Sequence, residues 1–312
     1  MKLVTVDIDG TERAGVLLGD QILDLAAAAA ALNSPAATGS VLDILKGGAG
    51  ALDQLAKLVA GAEANLDDMR AAGALLDAGA ARYRPPIPNP GFILSVGMNY
   101  RAHLEEMNTP IPELPAAFVK SPTSLTGSGE PIVLPPDQPD MVDFEGELCF
   151  VFGRDCYRVS EADAMDYVAG YTIANDVSAR DRVAGIFTAE GNMAAIHAWE
   201  ANVLGKQYPT FTPMGPVLVT RDEIADPGAL RLVTKLDGEV MQDSLTELVF
   251  PIARLIAHYS QWYRFRPGDV VTTGSPPGVG FGRDPKVFMK PGQLIEVTIE
   301  GIGTLSNPVI AG

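Results

Sequence analysis

The segment Val142-Asp143-Phe144-Glu145-Gly146-Glu147-Leu148-Cys149-Phe150 places three acidic residues at alternating positions. On a strand, period two sends Val142, Phe144, Leu148 and Phe150 to one face and Asp143, Glu145 and Glu147 to the other. Neighbouring carboxylates on that face stand ~7 Å apart and repel by roughly 2 kcal/mol at an effective dielectric of ~20. A bound cation turns that repulsion into attraction. All-oxygen ligation favours Mg²⁺, Mn²⁺ or Ca²⁺ over zinc or copper. The solvated outer face of an edge strand fits the same alternation. Against it stands Leu148-Cys149-Phe150-Val151-Phe152, apolar on both faces, which turns the acids toward an interior or a cleft.

Two further groups carry chemistry. In Gly170-Tyr171-Thr172-Ile173-Ala174-Asn175-Asp176-Val177-Ser178-Ala179-Arg180-Asp181 an apolar strand runs into a turn. That presents Asp176 at a strand end as another carboxylate ligand, although a helix N-cap or Asx-turn uses an aspartate in the same way. In Asn99-Tyr100-Arg101-Ala102-His103-Leu104-Glu105-Glu106-Met107, helical spacing puts His103 and Glu106 on one face. A carboxylate beside an imidazole fixes its tautomer and stabilises imidazolium, which equips the histidine as a general base. An exposed His-Glu pair on a surface helix is the plainer alternative.

These residues need elements to hold them. Val4, Val6 and Ile8 alternate with Thr5, Asp7 and Asp9, and the chain turns at Asp9-Gly10 and resumes at Ala14 to Leu18, the pattern of an antiparallel hairpin. Helical spacing in an Ala-rich background follows from Val41 to Ala60, broken at Gly47-Gly48, and again from Ala62 to Leu76. The proline-rich Arg84-Pro85-Pro86-Ile87-Pro88-Asn89-Pro90-Gly91 fits a linker rather than a helix or a central strand. Beyond it come short β-like runs at Phe92 to Val96, Ala116 to Val119, Leu148 to Phe152, Val217 to Thr220, Leu230 to Leu236, Asp269 to Thr273 and Leu294 to Ile299. The expected fold is therefore β-rich α+β: a small N-terminal α+β domain over residues 1–85 and a mixed β-sheet roll over 86–312.

Composition narrows the partners. With 47% hydrophobic and 20% charged residues the chain fits an ordinary folded protein, and a net charge of -16 argues against sequence-independent nucleic-acid binding or an anionic membrane surface. Cys149 and Cys156 are the only cysteines, too few for a disulfide framework, and no signal peptide or membrane span is legible. A cytoplasmic location is expected. Gly278-Val279-Gly280-Phe281-Gly282 lacks the glycine spacing of a dinucleotide fingerprint and fits a plain turn-rich loop. Neither a P-loop nor a G-x-S-x-G elbow is present, so dehydrogenase, NTPase and serine-hydrolase chemistries lose ground.

Taken in order, Val96-Gly97-Met98-Asn99-Tyr100, His103 to Glu106, Val142 to Leu148, Asn175 to Asp181, Gly205-Lys206, Pro213-Met214-Gly215-Pro216 and Gly274 to Gly280 resemble the fumarylacetoacetate hydrolase family. The resemblance implies that family's C-terminal-type fold, with a metal of the Mg²⁺ type (Mn²⁺ and Ca²⁺ as alternatives) on Glu145, Glu147 and Asp176. It implies catalytic roles for His103, Glu106 and Lys206, and places Arg180, Thr210 and Ser275 near metal or substrate and Lys120 at the pocket rim. It further implies a small oxo-acid substrate and a homodimer. The metal would chelate two oxygens of a β-diketo or 2-oxo acid and neutralise enolate charge, while His103 activates water for carbon-carbon cleavage of a 2,4-diketo or acylpyruvate acid. The same resemblance allows decarboxylases, hydratases and isomerases of 2-oxo acids. A non-catalytic metal-binding protein is the alternative from another class, and it has no use for the His-Glu pair.

Departures from the family concern the substrate. Val183 stands where many relatives carry glutamine. The stretch Arg182 to Leu204, with Phe187, Met193, His197 and Trp199, is longer than in many members, and it fits either a lid of altered size and polarity or a plain surface helix with a core tryptophan. Gln207-Tyr208-Pro209 replaces the commoner Ser-Phe-Asp.

Overall fold

The computed structural model describes residues 1–36, 38–182, 185 and 189–312. The expectations at Val183 and Phe187 lie outside the described residues.

The architecture is β-rich α+β with mixed sheets, as the short apolar runs imply. Its largest sheet has 12 strands. Across its middle lie Lys2–Ile8, Thr212–Thr220, Val168–Asn175, Gly146–Phe152, Val270–Thr272, Ile93–Gly97 and Ala116–Lys120, in that spatial order. A second sheet joins Glu239–Leu245, Arg231–Leu236, Leu294–Ile299, Gly303–Ala311 and Ile132–Leu134. The two strands Val270–Thr272 and Ile93–Gly97 run parallel, within otherwise antiparallel neighbours.

Period-two alternation sorts the core. In Gly146–Phe152, residues Leu148, Phe150 and Phe152 pack with Leu232, Val297 and Ile299 of the second sheet. Cys149 and Val151 point the other way, onto Ile44, Leu55 and Leu58 of the N-terminal helices. The central sheet thus lies between helices on one face and a second sheet on the other, and both faces of its middle strands are buried. Each fully buried Leu or Phe side chain contributes roughly 1.5–3 kcal/mol by leaving water.

The N-terminal hairpin forms as expected, from Lys2–Ile8 and Thr11–Leu18 around Asp9 and Gly10, both at positive φ. It is not a free-standing unit of pairing. Lys2 and Leu3 pair with Val219 and Leu218, which carries the large sheet across the boundary between residues 85 and 86. Thr5, on the polar side of the alternation, is buried there and donates to the carbonyl of Pro86 at 2.9 Å. The helices Val41–Lys46 and Gly48–Glu63 break at Gly47-Gly48, where Gly48 takes φ +62. The expected helix from Ala62 to Leu76 ends instead at Ala71; Gly73 at φ +68 turns the chain into the strand Leu75–Asp77. No helix is long and apolar enough to cross a membrane among the described residues.

Candidate active site

Glu145 sits in the gap between the short strand Val142–Asp143 and Gly146–Phe152, and Glu147 follows two residues on. Asp176 follows the last residue of Val168–Asn175. Antiparallel register puts Gly146 opposite Asn175 and Glu147 opposite Ala174, so residues 29 and 27 apart in sequence meet at one strand end. Two hydrogen bonds lock the junction: Glu145 N–H donates to Asn175 Oδ1 at 2.8 Å and Asp176 N–H donates to the Glu145 carbonyl at 2.8 Å. Ligand oxygens of Glu145, Glu147 and Asp176 then lie within 4.8 Å of one another, all three residues buried.

Asp143 does not join them, contrary to its period-two placement. The strand is interrupted after Asp143, which pairs with Ser178 instead of continuing the ladder of Gly146–Phe152. Its carboxylate accepts the N–H groups of Gly280 at 2.7 Å and Phe281 at 3.1 Å and pairs with Arg180 at 2.8 Å. The Gly278-to-Gly282 loop is accordingly more than a plain turn: Gly278 N–H also donates to Glu106 at 3.0 Å. Gly278 holds φ +98, and a Cβ there would meet the Met241 carbonyl at 2.2 Å. Only glycine fits that approach.

Three cations surround the carboxylates. Lys206, just past the helix Asn192–Leu204, bridges Glu145 at 2.6 Å and Asp176 at 2.7 Å. Arg180 links Glu145 to Asp143. Lys120 is fully buried rather than at a rim; it pairs with the second oxygen of Asp176 and donates to the Phe211 carbonyl at 3.0 Å. Burial pushes the Glu145 carboxyl up, but Lys206 and Arg180 more than offset this and hold it well below the usual carboxylate range. Glu147 goes the other way: burial, then the charges of Asp176 and Glu145, raise it well above its ordinary value. It accepts Gly274 N–H at 3.0 Å and forms no ion pair among the described residues. Burial depresses the Lys120 ammonium, whereas for Lys206 the same penalty is outweighed by Asp176 and Glu145, which raise it.

These features suit a divalent ion. The donors are hard carboxylate oxygens, they converge, one lacks a counter-charge, and an ammonium already bridges two of them as a stand-in cation.

A cavity of about 370 Å³ opens above the cluster, lined at its base by Glu145, Glu147, Asp176, Arg180, Lys206 and Ser275 and on its wall by His103. The helix Arg101–Glu106 carries His103 and Glu106 as the spacing implies, with His103 Nδ1 2.9 Å from Glu106 Oε2. Buried Asn99 anchors the start of that helix, donating to the Thr273 carbonyl at 2.9 Å and accepting Phe250 N–H at 2.8 Å. Burial raises the Glu106 carboxyl, but hydrogen bonds from His103 and Gly278 bring it below its ordinary value. Lys120, Glu106 and Thr210 do not themselves line the cavity; Lys120 and Glu106 hold residues that do, Asp176 and His103, whereas the Thr210 hydroxyl accepts Val133 N–H at 2.9 Å. Trp199 is 45% exposed and lines the cavity, so it is not a core residue, while His197 is exposed on the outer surface of the same helix.

Sequence reasoning missed Gln242 and Ser95. Gln242, from the second sheet, accepts Gly146 N–H at 3.0 Å and donates to Ser275 Oγ at 2.8 Å. Ser95 donates to Asp176 at 3.2 Å. Neither lies near a ligand in sequence; the one available signal, a polar residue within an otherwise apolar strand run, was present for Ser95 and absent for Gln242, whose strand is largely polar.

Comparison with known proteins bears on this geometry. Residues 92–310 match the family described as fumarylacetoacetate (FAA) hydrolase C-terminal. The human mitochondrial oxaloacetate tautomerase FAHD2B is 43% identical over 226 residues, 72% of this chain and 68% of that protein. Among solved structures, a putative HpcE protein from Mycobacterium smegmatis superposes with a TM-score of 0.77 at 31% identity, covering 100% of both chains. The maleylpyruvate hydrolase of Sphingobium sp. SYK-6, solved with manganese(II) and pyruvate, gives a TM-score of 0.74 at 26% identity, again over 100% of both chains. On the extent of the family match and the identity to its relatives, the chain belongs to the fumarylacetoacetate hydrolase family.

Proposed function

We propose that this chain interconverts the keto and enol forms of a 2-oxo acid by metal-assisted proton transfer, with Glu145, Glu147 and Asp176 as ligands. The observation that carries this reading is the buried carboxylate triad beneath a cavity whose wall presents a histidine oriented by a carboxylate. Glu145, Glu147 and Asp176 would hold a divalent ion of the Mg²⁺ or Mn²⁺ type, which would supply Lewis-acid stabilisation of enolate charge. With Nδ1 engaged by Glu106, His103 keeps Nε2 as its proton acceptor. It takes a proton from C3, the C–H electron pair becomes the C2–C3 double bond, and negative charge moves onto the 2-oxo oxygen. Lys206 and Arg180 stabilise that charge, and returning the proton to oxygen completes the enol. Glu106 remains ionised and so stabilises the imidazolium between the two transfers.

The tautomerase named among the relatives supports this direction. A second reading is favoured by the neighbour named as a maleylpyruvate hydrolase: His103 takes its proton from water, and the attack splits a 2,4-diketo or acylpyruvate acid between carbons. The test adds Mn²⁺ to chelator-treated protein and follows enol absorbance of a 2-oxo acid, oxaloacetate or phenylpyruvate, together with pyruvate release from an acylpyruvate. Metal-dependent enol loss without pyruvate supports the tautomerase, and stoichiometric pyruvate supports the hydrolase. Activity unchanged in His103→Ala and Asp176→Ala would contradict both, and metal binding with no turnover on either substrate would favour a non-catalytic protein.

A further inference from the structure

The cavity is divided by chemistry. Both cations on its lining lie at the base and are committed there, Lys206 to Glu145 and Asp176 and Arg180 to Asp143 and Glu145. Above them stand Met98, Leu104, Met107, Phe118 and Trp199. Met98 and Trp199 are 39% and 45% exposed, which puts them at the mouth, and Met98 holds φ +54, a conformation a side-chain-bearing residue seldom adopts. Phe118 links the two zones: its ring lies 5.5 Å from Lys206 Nζ and meets Trp199 edge-on at 6.5 Å. Among the described residues the upper wall offers no Lys or Arg, and its polar side chains, other than His103, are the neutral Thr109 and Asn202. A volume of about 370 Å³ lies in the range that encloses drug-sized ligands, more than a four-carbon diacid fills.

We infer that the site selects 2-oxo acids whose substituent beyond C3 is uncharged and apolar, an aryl group or an alkyl chain, over those ending in a second carboxylate. The inference rests on the reading above, in which the base of the cavity binds the 2-oxo acid head through a divalent ion. A second carboxylate on the upper wall would give up hydration without an offsetting cation among the described residues. An aryl ring there buries apolar area against methionines and finds two aromatic partners already in an edge-on arrangement.

Unreactive oxamates, which present a carboxylate beside an amide carbonyl, isolate the substituent from turnover. Calorimetric binding to Mn²⁺-loaded full-length protein compares oxamate with its N-phenyl, N-butyl and N-carboxymethyl derivatives. The N-phenyl and N-butyl compounds are expected to bind about tenfold or more tighter than oxamate, and the N-carboxymethyl compound no tighter. Trp199→Ala, an exposed position whose truncation spares the core, should erase most of the N-phenyl advantage. Tighter binding of the N-carboxymethyl compound than of the N-phenyl one, with oxamate itself bound, would overturn the substrate class alone, as would an N-phenyl advantage undiminished in Trp199→Ala. Failure of every oxamate to bind would overturn the chelation reading and this inference with it.

Discussion

His103 Nδ1 lies 2.9 Å from Glu106 Oε2, and the same carboxylate accepts the Gly278 N–H at 3.0 Å. The imidazole therefore has one ring nitrogen fixed and the other left for proton transfer, and the loop from Gly278 to Gly282 sets the angle of the pair. Glu106→Gln keeps the size and an acceptor oxygen but removes the charge that stabilises imidazolium. We expect kcat to fall about 10²-fold in that variant, and at least as far in His103→Ala, with Mn²⁺ affinity unchanged in both. Steady-state kinetics beside a Mn²⁺ titration checks this. Because Glu106 titrates below its ordinary value, it stays ionised through neutrality and the wild type should show no loss of activity from its protonation there.

Gln242 acts through Ser275. Its side-chain N–H donates to Ser275 Oγ at 2.8 Å and to the Pro276 carbonyl at 2.9 Å, while its oxygen accepts the N–H of Gly146, between Glu145 and Glu147. With Oγ accepting there, and only long contacts of 3.4 and 3.5 Å from Oγ to backbone carbonyls, the serine hydroxyl is left to donate into the cavity. Gln242→Glu reverses the polarity and draws that proton away. We expect Gln242→Glu and Ser275→Ala each to lower kcat/KM by about ten- to a hundredfold, through a lost hydrogen bond to developing charge, and the double variant to be no worse than Ser275→Ala. Additive losses would assign Gln242 a separate structural role.

The acidic strand was legible because carboxylates at alternating positions beside an apolar run have few stable uses. Glu145, Glu147 and Asp176 converge as that pattern implies. Asp143 was misassigned by the same rule, since period two holds only while a strand is unbroken and the ladder stops between Asp143 and Gly146. Gln242 was illegible for another reason: it reaches Gly146 from 96 residues away, by packing of the second sheet on the first. That sheet was itself half hidden. Pro308 argues against an internal strand in Gly303–Ala311, and Glu239–Leu245 is mostly polar, with only Val240 and Met241 adjacent and apolar. Helix ends were set by single glycines, Gly73 among them, that an Ala-rich periodicity passes over.

The two thiols give an independent check on packing. Burial, then the neighbouring charges of Glu147 and Asp176, raise Cys149 well above the usual thiol value, and burial pushes Cys156 up to about 11. Both are free, and at pH 8 both stay in the unreactive thiol form. Native protein should leave a disulfide reagent unconsumed over minutes, and denatured protein should react at both positions. Cys149 reacting in the native protein at the rate of free cysteine would place the strand Gly146–Phe152 closer to solvent than its packing allows.

The most direct test of the metal centre is a Mn²⁺ titration of chelator-treated protein followed by paramagnetic resonance, wild type beside Glu147→Gln and Asp176→Asn. The account predicts one tightly held ion per chain in the wild type and at least about a tenfold loss of affinity in each variant, with folding retained. Equal Mn²⁺ binding in all three proteins, or none in the wild type, would contradict it.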